Sequence, residues 1–264
     1  MSDDNSTEAK TSSPHRNRPS GCARALLEAA KSLAGPDATI CFGRRPDGTF
    51  GLERNDQIAK LSAFRKFEGD LPPVLATGGE HVVYGSAVSG IIVKTALPEI
   101  FGYVVDEDKL LDERTFLQVP KLKHRHSLPS EYFVRWAILD HVFGLQTEFC
   151  GIVEQDKSCP SLVIIQPFIG STEVDNPSWE QLEAFFDAHN FVRVDDKHIA
   201  DPRIKGAVWY RQRDGLLMSD AFPRNFRIDA SGVVIPIDLI VNIVPPGASK
   251  ILPSAATPFQ LPIS

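Results

Sequence analysis

The sequence predicts an α+β protein, and three observations carry that reading. Residues 74–95, VLATGGEHVVYGSAVSGIIVKT, are dominated by β-branched residues and interrupted by Gly78-Gly79 and Ser89-Gly90, the pattern of short strands joined by tight turns. Residues 127–144, SLPSEYFVRWAILDHVFG, place Tyr132, Trp136, Leu139 and Phe143 on one helical face. Residues 226–237 then read strand, turn, strand, with Asp229-Ala-Ser-Gly232 as the turn.

The elements follow in order. Residues 1–20 carry almost no apolar side chain, so burial cannot offset the entropy of ordering, and a disordered tail is expected. An N-terminal helix and extension occupy 21–73. Residues 21–34 have Ala and Leu at helical spacing, and Gly35-Pro36 ends that helix. Short segments continue to Pro73, with a hairpin expected over TICFGRRPDGTFGLE (39–53) about its Pro-Asp-Gly turn. The main domain spans 74–244. Within it, 102–126 is strongly charged and admits one short helix at EDKLLDERTFL (107–117). Ser127 and Pro129 suit the start of the next helix, and Gly144 its end. SLVIIQPFIG (161–170) reads as a buried strand entering a turn at Gln166-Pro167. SWEQLEAFFDAHNF (178–191) is an amphipathic helix with Leu182, Phe185 and Phe186 inward. GAVWYRQRDGLLMSD (206–220) gives two short strands about Arg213-Asp214-Gly215. From Pro245 a Pro-rich tail is expected to run extended over the surface. No internal repeat is present.

The 264 residues suffice for one two-lobed domain or two small ones, and 42% hydrophobic with 23% charged residues is ordinary for a globular chain. A formal net charge of −6 argues against nucleic-acid or anionic-membrane partners. No apolar run reaches membrane-span length and no apolar signal segment opens the sequence, so a cytoplasmic location is expected. Cys22, Cys41, Cys150 and Cys159 form no C-x-x-C pair, and reduced, packed thiols are expected.

Phosphoryl transfer from ATP needs a glycine turn near the phosphates, a strand lysine, a carboxylate that orients the lysine, an aspartate beside the acceptor hydroxyl, and an amide with a second aspartate for Mg²⁺. These parts occur here in that order. Gly78-Gly79-Glu80 sits in a strand turn, and Lys94 follows the apolar strand residues Ile91, Ile92 and Val93 in GIIVK. Each alone has a plain structural reading, as a hairpin device and a strand-end surface charge. Glu131 lies in the first helical turn, where the helix dipole or an ion pair with Arg135 would equally explain it. Glu113 is a rival partner for Lys94. Asp220 and Asn225 stand in a D-x-x-x-x-N spacing, a small hairpin follows, and Asp238 ends it in VIPIDL. An ionised carboxylate directly after VVIPI is costly unless it meets a cation.

Taken together, GGEHVVYG, GIIVKT, PSEYFVRWAILDHVFG, VIIQPFIG and GLLMSDAFPRNFRID with VIPIDL resemble the kinase-like domains of polyvalent proteins from phages and other mobile elements. More distantly they are similar to the aminoglycoside phosphotransferase and choline kinase group. The resemblance covers about residues 74–243. It implies a minimal bilobal protein-kinase-like fold: a strand-rich N-lobe to about residue 165, a hinge at 166–170 and a reduced C-lobe. It also implies ATP and Mg²⁺ as cofactors, with the phosphate acceptor, protein or small molecule, left open. Gly78, Gly79 and Glu80 would cover the phosphates, Lys94 would contact them, and Glu131 would fix Lys94. Gln166, Pro167 and Phe168 would meet the adenine. Asp220 would be catalytic, and Asn225 and Asp238 would hold the metal.

The sequence also departs from that family's better-known members. Met218 and Ser219 stand where His-Arg precedes the catalytic Asp, and Leu239-Ile240 replace the Phe-Gly after the metal Asp. Only residues 239–264 follow Asp238, so no activation segment is expected. A binding module that keeps the scaffold and acts through protein contacts is the alternative; an unrelated α+β domain with chance matches ranks last.

Overall fold

The computed structural model describes residues 21–35, 50–86, 88–111, 118–154, 159–170, 176–244, 251–253, 255 and 259. The expected N-terminal tail, the Pro-Asp-Gly turn, Cys41, Glu113 and most of the Pro-rich tail lie outside these residues.

Helix α1 (Gly21–Ala34) buries Leu26, Ala30 and Leu33, and it ends where the Gly35 N–H reaches the Lys31 carbonyl. Residues 50–61 form helix α2 (Phe50–Leu61), not the second arm of a hairpin. The reason is tertiary: buried Gln57 on α2 accepts the backbone N–H of Ser130 at 3.0 Å, at the start of α3 (Pro129–Phe143). This satisfies one of the amides that a helix start leaves unpaired. Pro129 to Asp140 of α3 are all buried, and Gly144, with φ 67°, closes its end. α1 packs along α3.

The largest sheet contains β1 (Val74–Thr77), β2 (His81–Ser86), β3 (Ile91–Ala96), β6 (Glu148–Val153) and β7 (Ser161–Pro167), in the order β1-β2-β3-β7-β6. Between β3 and α3 lies a long hairpin, β4 (Tyr103–Leu111) and β5 (Gln118–His126). The helix expected at 107–117 is therefore absent over 107–111. Those residues carry good helix formers, but continuous pairing from Tyr103↔His126 to Leu111↔Gln118 overrides local propensity.

Helix α4 (Trp179–Ala188) is capped by Ser178, whose hydroxyl accepts the Gln181 N–H. It buries Leu182 and Phe186, while Phe185 is half-buried. Four strands, β8 (Val192–Arg193), β9 (Trp209–Arg211), β10 (Leu216–Ser219) and β13 (Ile240–Ile243), make the sheet β13-β10-β9-β8, and β11 (Phe226–Ile228) with β12 (Val234–Pro236) forms the small hairpin read from the sequence. Every pairing between these strands is antiparallel.

The main core is continuous from Leu26 of α1 through Trp136 of α3 and Ile164 of β7 to Phe186 of α4, Met218 of β10 and Val241 of β13. The strand-rich first part and the part after β7 thus share one apolar core. No helix among the described residues is long and apolar enough to cross a membrane. Cys22, Cys150 and Cys159 are free thiols.

Candidate functional site

The β1–β2 turn is held tight by the Gly78 N–H, which donates to the His81 carbonyl at 2.8 Å. It projects Gly78, Gly79 and Glu80 over a cavity of about 430 Å³. The same cavity is lined by Asp220, Arg224, Asn225 and Asp238, and by Tyr103, His124 and Arg203.

Asp220 follows β10 with φ 55°, a left-handed conformation that Asp tolerates better than most residues. Asn225 Nδ2 donates to the Asp220 backbone carbonyl at 2.6 Å and to its Oδ2 at 2.8 Å. Arg224 Nη2 meets Asp220 Oδ1 at 2.8 Å. Burial raises the Asp220 carboxyl to about 6 against the pull of Arg224 and the Asn225 hydrogen bond, and Asp238 and Glu80 push it the same way as burial. With Asn225 Nδ2 so engaged, Oδ1 is the side-chain atom left to face a cation. The Asn225 carbonyl accepts the Ile237 N–H, which brings the end of the β11–β12 hairpin, and with it Asp238, back beside Asn225.

Arg135 is the charge hub of the site. It is 1% exposed, yet every arm of its guanidinium is bonded: Nη1 to Glu80 Oε2 at 2.6 Å, Nη2 to Asp238 Oδ1 at 2.9 Å, and Nε to the Leu239 carbonyl at 2.7 Å. Glu80 Oε1 accepts the Tyr103 N–H at 2.9 Å, so one carboxylate ties the glycine turn to both β4 and α3. Burial alone would raise the Asp238 carboxyl; the cations Lys94, foremost, and Arg135 hold it well below the usual carboxylate range.

Lys94 of β3 is buried and is not part of the cavity wall. Its Nζ donates to the Ile237 carbonyl at 2.5 Å and lies 4.8 Å from the Trp136 ring centroid. Burial lowers its pKa, and the attraction of Asp238 opposes that.

Glu131 does not orient Lys94. Its two oxygens are bound by Arg125, at 2.8 and 2.7 Å, and by the Leu128 N–H at 2.8 Å. It is an N-terminal helix carboxylate locked to Arg125 at the end of β5, and this corrects the role that the resemblance implied. Arg135, one helical turn on, reaches the Asp238 side of the site instead. Gln166 and Phe168, implied at the adenine, make other contacts. Gln166 Nε2 donates to Thr147 Oγ1, the Phe168 N–H donates to the Gly90 carbonyl, and neither residue lines the cavity.

Sequence reasoning passed over His81, Tyr103, His124 and Arg203, and considered Arg135 only as a local partner for Glu131. A signal existed for Arg135, a cation inside the apolar run YFVRWAIL, which burial forces to find partners. None existed for the wall formed by β4 and β5. There His124 Nε2 meets Ser219 Oγ at 3.0 Å, and burial drops the His124 pKa to about 4 in spite of nearby Asp201.

No family model, curated protein or solved structure matches the chain.

Proposed function

We propose that this chain is an ATP- and divalent-cation-dependent phosphotransferase on a minimal bilobal kinase-like scaffold, related to the kinase-like domains of polyvalent proteins. One observation carries the reading. The glycine turn Gly78-Gly79-Glu80 lines one cavity together with Asp220, Asn225 and Asp238, although Asp220 lies more than 130 residues along the chain from the turn. The sheet order β1-β2-β3-β7-β6, with a buried helix entering between β3 and β6, supports the same scaffold.

In this reading Asp220 accepts the proton of the acceptor hydroxyl and aims that hydroxyl at the terminal phosphate. Asn225 holds the Asp220 carboxylate in place through its Nδ2. The backbone amides of Gly78 and Gly79 suit phosphate oxygens, since glycine lets the backbone approach closely. Arg203 and Arg224 on the rim add positive charge toward the acceptor side. Lys94 serves as a positioning residue: it fixes the Ile237 carbonyl next to Asp238. Asn225 Oδ1 and the Asp238 carboxylate are an oxygen donor set that fits Mg²⁺, which when bound would neutralise charge on the phosphates.

A second reading, a nucleotide-free binding module, draws on a specific observation. The Phe168 N–H, expected at the adenine, is already bonded to Gly90. Nucleotide affinity with and without Mg²⁺, together with ATP consumption in the presence of candidate acceptors, separates the two. Wild-type protein that binds no nucleotide and consumes none would sink the phosphotransferase reading.

A further inference from the structure

The glycine turn carries an imidazole beside the metal-side carboxylates. His81, 2% exposed, starts β2 directly after Glu80. Its Nδ1 is buried without a hydrogen-bond partner and lies 3.9 Å from Glu80 Oε2 and 3.8 Å from Asp238 Oδ2. One ligand atom from each of the three residues lies within 4.8 Å of the others. The other ring nitrogen, Nε2, is 3.0 Å from the Tyr132 hydroxyl on α3. With the proton on Nε2, donated to that hydroxyl, Nδ1 presents a lone pair to the carboxylates. A metal-bound histidine is commonly oriented through its second nitrogen in this way.

We infer that Glu80, His81 and Asp238 form a mixed nitrogen–oxygen site for a first-row transition dication, and that the nucleotide-associated ion of this protein is of that class in preference to Mg²⁺. The inference rests on the phosphotransferase reading and sharpens it. Mg²⁺ is a hard ion that takes oxygen ligands, whereas Mn²⁺ and Zn²⁺ belong to the first-row series for which an imidazole nitrogen is a suitable ligand. Metal bonds of about 2.0–2.2 Å set neighbouring donors roughly 3.0–3.5 Å apart, so the side chains close in on the ion by up to about 1 Å from their present spacing. Glu80 Oε2 and Asp238 Oδ1 already bind Arg135. Asp238 Oδ2 and a second lone pair on Glu80 Oε2 remain for the ion.

The local charge adds a condition. Glu80 and Asp238 are balanced by Arg135 and Lys94, so a dication leaves an excess of two positive charges, which anionic phosphates offset. Ion binding is therefore weak alone and tightens when a nucleotide polyphosphate is present.

The test measures binding of a non-hydrolysable ATP analogue to the full chain with Mg²⁺, Mn²⁺ or Zn²⁺. It is combined with pulsed electron paramagnetic resonance of the Mn²⁺ complex and repeated with His81→Gln. The expected result is affinity about ten-fold or more tighter with Mn²⁺ or Zn²⁺ than with Mg²⁺, lost in His81→Gln in line with the usual cost of disturbing a metal shell. A nitrogen coupling in the Mn²⁺ spectrum should disappear with it. Should His81→Gln fail to fold, the nitrogen coupling in the wild type decides alone. Equal affinity with Mg²⁺ and Mn²⁺ and no nitrogen coupling would overturn this inference and leave the phosphotransferase reading standing. No nucleotide binding with any ion overturns both.

Discussion

Asn225 reaches back across five residues to hold Asp220 twice, through the backbone carbonyl at 2.6 Å and through Oδ2 at 2.8 Å. The clamp fixes a carboxylate whose backbone sits at φ 55°, so the side chain faces the cavity in one orientation. Asn tolerates that conformation as Asp does, whereas Ala does not. Asp220→Asn thus keeps the backbone conformation, while its single oxygen can accept from only one of Asn225 Nδ2 and Arg224 Nη2. It should leave nucleotide affinity nearly intact and lower phosphoryl transfer by about 10²–10⁴, the usual cost of a lost general base. Single-turnover transfer alongside nucleotide titration checks this; a variant with wild-type turnover would remove Asp220 from the chemistry.

Asp238→Ala should behave differently. It removes a carboxylate that faces the proposed metal position and frees one arm of Arg135. Cation-dependent nucleotide binding and turnover should fall together. Calorimetric titration with and without the cation reads this directly, and unchanged cation dependence would exclude Asp238 as a ligand.

Arg135 neutralises two carboxylates from inside the core. Arg135→Met leaves Glu80 and Asp238 facing one another with the guanidinium gone. Breaking a buried pair from one side costs about 3–5 kcal/mol. Chemical denaturation should report a loss of that order, and a change below about 1 kcal/mol would mean that solvent already screens the pair.

Gly102, at φ +79°, lies against the same pair. A Cβ there would meet Arg135 Nη1 at 2.8 Å and Glu80 Oε1 at 3.2 Å. Gly102→Ala combines a left-handed backbone strain with displacement of the ion pair. It should lower both the melting temperature and nucleotide affinity; Gly21→Ala, where no atom lies within 4 Å of the new methyl group, should lower neither.

Asp220 and His124 titrate over overlapping ranges with opposite sign. Burial raises Asp220 from 3.8 to about 6, so between those values the folded protein holds a proton that the unfolded chain has lost, and stability falls as pH rises. Burial lowers His124 from 6.5 to about 4, so there the unfolded chain holds the extra proton, and stability rises with pH. In metal-free protein the two contributions offset one another. Asp220→Asn should make stability climb more steeply from about pH 4 to 6, and His124→Gln should make it decline. Thermal melts in chelator across that range give both slopes; parallel slopes would contradict the assignment.

The sequence by itself determined the local elements. Glycine turns and β-branched runs gave β1 to β3, helical apolar spacing and Gly144 gave α3, amphipathic spacing gave α4, and Asp229 to Gly232 gave the turn between β11 and β12. It also marked Gly78, Gly79, Glu80, Asp220, Asn225 and Asp238, which meet at one cavity. Tertiary structure decided what these neighbourhoods could not. The β4–β5 hairpin replaced a helix because its hydrogen bonds come from a partner strand, and α2 exists where it can offer Gln57 to the start of α3. The pairing of buried charges was decided the same way. Glu131 and Arg135 are four residues apart on one helix, the spacing of a local ion pair, yet Glu131 binds Arg125 and Arg135 binds Asp238, 103 residues away. Helical spacing says which side chains can touch along one helix. Which cation a buried carboxylate meets depends on what the whole fold packs against it, because in the interior an unpaired charge costs more than any local preference returns.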